Sequence, residues 1–141
     1  MFKTLLLTVD VNDLKGSERP AAVAKTMAER DDAELHIMNV VPDYGMSIVG
    51  SFFSADHNKA ILQEAKVALE TWAGERFADL QKVRLHVDQG TIYDLVLKEA
   101  ENVSADAIIV GAHKSQLKDY LIGPNAARIS RHAKQSVFVV R

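Results

Sequence analysis

Apolar residues follow two rhythms along this chain, one of strands and one of helices. Leu5 to Val9 is an apolar run, the pattern of a strand buried on both faces of a parallel sheet. Asp10 to Gly16 reads as a turn-rich loop. Ser17 then stands as the cap of a first helix, in which Pro20 falls early enough to be tolerated. Val23, Ala24, Met27 and Ala28 repeat at helical spacing until the pair Asp31 and Asp32 breaks the pattern. Leu35 to Val41 predicts a second strand, closed by Pro42. A long helix is expected from about Asp56 to Leu80, with Ile61, Ala65, Ala68, Leu69 and Trp72 on its inner stripe. Val83, Leu85 and Val87 alternate with polar residues, which predicts a half-exposed strand at a sheet edge. Thr91 and Asp94 have the spacing of a capping box, ahead of a helix that buries Ile92, Leu95, Val96 and Ala100. Ala107 to Val110 is the fourth strand and Val137 to Val140 the fifth, with a short helix carrying Ile129 and Ala133 between them. The alternation βαβαβαβαβ predicts an α/β fold, a single domain over residues 1–141 built on a doubly wound parallel sheet.

Composition narrows the function classes. At 141 residues the chain suits one domain with one sizeable core. A formal charge of −2 announces no basic face, so nucleic acid is not expected as a partner. No cysteine is present, which excludes disulfides, thiolate metal sites and thiol chemistry and suits a reducing, cytoplasmic setting. The opening MFKTLLLTVDV reads as a buried strand, not a leader. No run approaches the roughly 20 apolar residues that cross a bilayer, so no membrane role is expected.

The chemistry gathers at two strand ends. In Val110 to Ser130 a strand ends at Gly111, a polar loop follows, and Gly123, Pro124 and Asn125 open a helix. Such a helix start offers backbone N–H groups and the positive end of a dipole to an anion such as phosphate. The other strand end is Asp10, an acid closing LLLTVD. In doubly wound sheets ligands bind beyond the carboxyl ends of strands, where strand order reverses. If the first and fourth strands flank that point, Asp10 and Gly111 share one crevice. Neither G-x-x-x-x-G-K-[ST] nor G-x-G-x-x-G occurs, so this is neither a standard P-loop enzyme nor a dinucleotide-type Rossmann domain.

The succession MFKTLLLTVDV, LHIMNVVPD, DQGTIYDLVLKEA, ADAIIVGAHK, LIGPNAARISRHA and QSVFVVR resembles the universal stress protein family over essentially the whole chain, apart from Tyr44 to Ala55. The resemblance implies a Rossmann-like, adenine nucleotide alpha hydrolase-like fold with five strands in the order 3-2-1-4-5. Many family members carry G-x2-G-x9-G-[ST] and bind ATP. Here Gly111 and Gly123 supply the outer glycines, Lys114 stands at the second glycine, the second interval is one residue shorter, and Pro124 replaces the Ser or Thr. The pattern is similar to a short-loop subgroup whose members also bind adenine nucleotides. The resemblance implies an ATP-binding stress-response sensor or regulator, a homodimer through the C-terminal strand and a protein client.

Each candidate residue has a functional and a structural role open to it. Asp10, with Val11 beside it, is assigned to the adenine or ribose end; a loop-capping acid is the alternative. Val9, Val40 and Val110 are apolar walls for the base and equally core residues. Gly111 allows close backbone approach, while Gly123, Pro124, Asn125 and Ala126 form a phosphate cradle. Pro124 lacks an N–H but suits the first helical position. Lys114 and His113 are either phosphate ligands or solvated loop residues. Mg2+ is a possible companion of the phosphates, with Asp119 the nearest candidate ligand. His36, His57, His86 and His132 lack metal-ligand spacing and are read as structural or exposed. Ser130 and Ser136 are read as polar packing. No catalytic set is placed well enough to argue an enzyme; slow ATP hydrolysis, autophosphorylation and a nucleotide-free interaction module remain as alternatives. Residues 43–55 are a lid, part of a dimer surface, or a surface loop.

Overall fold

The computed structural model describes residues 1–42, 55–112 and 123–141. Five strands form one parallel sheet: β1 (Thr4–Val9), β2 (Glu34–Pro42), β3 (Val83–Gly90), β4 (Ala107–Gly111) and β5 (Ser136–Val140), in the order β3-β2-β1-β4-β5. The expected α/β architecture and strand order are therefore both present. Four helices connect the strands among the described residues: α1 (Leu14–Asp31), α2 (Ala55–Arg76), α3 (Ile92–Asn102) and α4 (Pro124–His132).

Strand pleating sends alternate residues to opposite faces. Leu5, Leu7 and Val9 therefore join Leu35, Ile37 and Ile109 under α1 and α2, where Leu69, Trp72 and Phe77 complete the larger core. Leu6, Met38, Ile108 and Val110 form the opposite core with Val96 and Ala100 of α3 and Ile129 of α4. Full burial of side chains such as Leu69 stabilises by roughly 1.5–3 kcal/mol each. Both faces of β1 are covered, which is why Leu5, Leu6, Leu7 and Val9 are apolar and buried. The partial burial along β3 and β5 matches their edge positions.

Two helix starts differ from expectation. The first helix begins at Leu14, with Asp13 and not Ser17 as its cap: the Asp13 carboxylate accepts from the Gly16 amide. Ser17 lies inside the helix, buried, and works as a polar link described below. Pro20 is consequently well inside α1 and has no N–H to give the Gly16 carbonyl. At α3, Thr91 is the cap residue by position, yet its side chain makes no capping hydrogen bond. The long helix ends at Arg76, short of Leu80.

The amino edge of the sheet is tied by carboxylates. Asp106 accepts from the amides of Lys3 and Thr4 at 2.7 and 2.9 Å, and Asp31 accepts from Phe2 at 2.9 Å. Asp31 also holds a two-point contact with Arg30. Chain entry into β1 is thus fixed before its apolar run begins.

Candidate functional site

Strand order reverses between β1 and β4, which are neighbours in register from Leu5 opposite Ala107 to Leu7 opposite Ile109. Their carboxyl ends therefore emerge side by side, as the sequence required for Asp10 and Gly111 to share a crevice. The start of α1 packs against the same place. A methyl group built on Gly111 would meet the Pro20 ring at 3.5 Å and the Gly16 carbonyl oxygen at 3.7 Å, ordinary contact distances. The close approach visible at Gly111 is thus by α1, and the packing alone would accept alanine.

The loop leaving β1 is held by side chains from two directions. The Asp10 amide donates to Ser17 Oγ at 3.3 Å, and Ser17 Oγ donates to the Asp13 carbonyl at 3.4 Å. The Val11 amide donates to Asn39 Oδ1 at 3.1 Å, and Asn39, near the end of β2, is only 2% exposed. Asp10 Oδ1 accepts from the Asn12 amide at 2.9 Å, the two-residue turn expected of a loop-capping acid. The structural role of Asp10 is therefore present. Asn39 and Ser17 were missed as organisers of this loop. The available signal was an amide side chain inside the apolar stretch LHIMNVV, where a buried polar group requires a partner.

On the β4 side, the Gly123 amide donates to the Ala112 carbonyl at 2.6 Å, and the Ala112 amide donates to Val140. These bonds bring the start of α4 onto the end of β4. Gly123 caps α4 with φ −59° and ψ 157°, and Pro124 takes the first helical turn. That turn contains no acid, whereas Arg131 and His132 lie in the last one. The first amides of a helix have no intrahelical partners and carry the positive end of its dipole, so this corner favours an anion.

The predicted residues divide as follows. Val40, Val110 and Ala126 belong to the α3/α4 side of the sheet, while Val9 packs on the opposite side under α1 and α2. Asp10, Val11, Gly111, Gly123 and Asn125 are half-buried, and Pro124 is exposed. His113, Lys114 and Asp119 lie outside the described residues, as does the stretch 43–54. Among the described residues no group of histidines and acids could hold a metal ion, and no helix is long and apolar enough to cross a membrane. Ser130 Oγ donates to the Ala126 carbonyl at 2.8 Å within its own helix, and Ser136 opens β5. His57 and His132 are exposed, whereas His36 and His86 are hydrogen-bonded to each other. A cavity of about 390 Å³ lies elsewhere, beside β3.

The molecule is thus a doubly wound parallel α/β protein with an anion-favouring helix start beside its topological switch point. The universal stress protein family model matches residues 1–141, and the chain belongs to that family. Universal stress protein G of Escherichia coli O157:H7 is 31% identical over 144 residues, covering all of both chains. Among solved structures, the Archaeoglobus fulgidus universal stress protein in complex with dAMP aligns with TM-score 0.71 at 17% identity, over 99% of this chain and 98% of that one. A universal stress protein in complex with cAMP aligns with TM-score 0.62 at 23% identity, over 99% and 97%.

Proposed function

We propose that this protein binds an adenine nucleotide, ATP in particular, in the crevice between the ends of β1 and β4, and acts as a nucleotide-linked regulator of a stress response. The observation that carries this reading is the bond from the Gly123 amide to the Ala112 carbonyl, which sets the α4 N-terminus beside the exit of β1. Phosphates would meet Gly123, Asn125 and Ala126, with His113 and Lys114 as further ligands and Mg2+ as a companion ion. The adenosine end would meet Asp10 and Val11, with Val40 and Val110 as apolar wall. The dAMP and cAMP complexes of the two related proteins support an adenine ligand.

Nucleotide binding acts here by stabilising one set of presented surfaces, to which a protein client responds. The whole of 1–141 serves as one universal stress protein domain, working in the cytoplasm. Homodimerisation through β5 fits the same reading: among the described residues that strand pairs only with β4, and Phe138 is 37% exposed on it. An uncovered apolar edge favours pairing with a second chain.

The test is to denature freshly purified protein with acid and analyse the supernatant by chromatography, alongside refolded protein titrated with ATP. Released adenine nucleotide, or saturable ATP binding, supports the reading. Absence of both at millimolar ATP makes the protein a nucleotide-free interaction module. Turnover that survives unchanged in Gly123→Asp and Asp10→Ala proteins marks a contaminating ATPase.

A further inference from the structure

On the α3 side of the sheet four titratable side chains stand in a row. His36 Nε2 lies 2.6 Å from Glu34 Oε1, His36 Nδ1 lies 2.7 Å from His86 Nε2, and His86 Nδ1 lies 3.2 Å from Glu99 Oε1. The row runs from β2 through β3 to α3, so it ties an edge strand to its neighbour and to the helix above. The two ring planes are inclined by only 18°, with centroids 5.0 Å apart. That spacing is the N···N distance plus the two centroid-to-nitrogen radii, so the rings lie edge to edge along one hydrogen bond and not face to face. His36 is buried and His86 half-buried, so water is a poor substitute partner for the inner link.

Proton counting on this row is restrictive. Its three links each need one proton, and ionised carboxylates supply none. Two neutral imidazoles carry one N–H each, so every arrangement of tautomers leaves at least one link without its proton, either a bare ring nitrogen facing a carboxylate or two bare nitrogens facing each other at 2.7 Å. A third ring proton satisfies every link. A fourth would set N–H against N–H at the inner contact and break it.

We propose that His36 and His86 hold three ring protons between them at neutral pH, forming a proton-binding latch on β3 that a fourth proton opens. His36 carries both of its protons, donating to Glu34 and to His86. His86 stays neutral and donates from Nδ1 to Glu99. Burial holds His86 below the ordinary imidazole value; Glu99 opposes that shift and the His36 charge adds to it. A lowered histidine favours folding above the ordinary value, and that contribution fades as pH falls and protonation is forced. Acid therefore loosens the latch.

The surroundings agree with one stored charge. Leu6 is the β1 residue in register with His36, and contributes none. Arg84 on β3 stands in register with His36 and is exposed. On α3, Glu99 also accepts from Asn102. Lys66 of α2 and Asp88 of β3 line the cavity of about 390 Å³ onto which His86 and Glu99 open. Loosening the latch exposes the inner nitrogens to that cavity, so acid acts on the β3 edge and not on the β1/β4 crevice.

The test is imidazole nitrogen NMR of the whole protein at about pH 7, where an unperturbed histidine is mostly neutral. Both His36 nitrogens should carry protons and His86 should carry one, on Nδ1. Glutamine at position 99 can donate, so Glu99→Gln should move the His86 proton to Nε2 and neutralise His36. Glu34→Gln should neutralise His36 while leaving His86 protonated at Nδ1. A merely packed histidine pair would not change tautomer in this residue-specific way. Amide exchange in β3, corrected for intrinsic rates, should quicken by about tenfold per pH unit once the fourth proton binds, with β1 unaffected. A neutral His36 in the unaltered protein, or a His86 tautomer indifferent to Glu99→Gln, overturns the proposal.

Discussion

The two edges of the sheet both use carboxylates on backbone amides, but only one adds an acid-free helix start. At the amino edge, carboxylates bind the backbone directly: Asp106 spans the amides of Lys3 and Thr4, and Asp31 holds Phe2. At the carboxyl edge, the loop after β1 hangs on Ser17 and Asn39, and a bond from the Gly123 amide to the Ala112 carbonyl joins the start of α4 to the end of β4. The first edge spends its acids on the protein's own amides. The second turns a helix start outward with no acid in its first turn. One edge is therefore suited to holding the fold and the other to receiving an anion.

Substitutions should separate these roles. The largest effect is expected from Gly123→Asp. Gly123 has φ −59° and ψ 157°, which any residue adopts, and aspartate is a favoured helix cap. Stability should hold, while a carboxylate at the phosphate cradle should cost about 100-fold in ATP affinity, roughly 2.7 kcal/mol, by calorimetric titration. Asp106→Ala inverts that outcome. Losing an acceptor for two amides should cost about 1–2 kcal/mol in urea unfolding, with ATP affinity unchanged.

Asp13→Ala should cost about 1 kcal/mol through the lost cap of α1. It should also weaken ATP modestly, because a frayed start of α1 loosens Ser17, whose hydroxyl receives the Asp10 amide. The smallest effect is pH-dependent. Arg30, then the Phe2 amide, hold the Asp31 carboxyl well below the usual range. Its stabilising contribution is present above the ordinary carboxylate value and disappears as pH falls through the lowered one. Melting curves of the unaltered and Asp31→Asn proteins should therefore differ at neutral pH and converge in strong acid.

Much of the fold was legible in the chain. The apolar run in β1 marked a strand covered on both faces, and alternation in β3 marked an edge. What misled at α1 was Ser17, a good cap residue in a plausible place. Asp13 is equally good and stands three residues before Gly16, whose amide it accepts. Propensity alone cannot choose between them, and Pro20 argued wrongly for the later start. The polar row of His36 and His86 was invisible for another reason. These residues are fifty positions apart, and only the pairing of β2 with β3 brings Met38 opposite His86 and sets His36 diagonally across from it. Asp10 and Gly111 could be placed together through the family resemblance, which implies the order 3-2-1-4-5; the βα alternation alone leaves the point of reversal open. Val9 could not be separated from Val40 and Val110 until the pleat assigned each to a face.

The direct test of nucleotide binding at the carboxyl edge is thermal unfolding with and without ATP, in the unaltered protein and in Gly123→Asp. ATP at 100 times its dissociation constant should stabilise the unaltered protein by about 2.7 kcal/mol. The variant should melt at the same temperature without ATP and gain only about 0.4 kcal/mol at that ATP concentration. An unaltered protein that ignores millimolar ATP, or a variant that responds equally, would contradict the account.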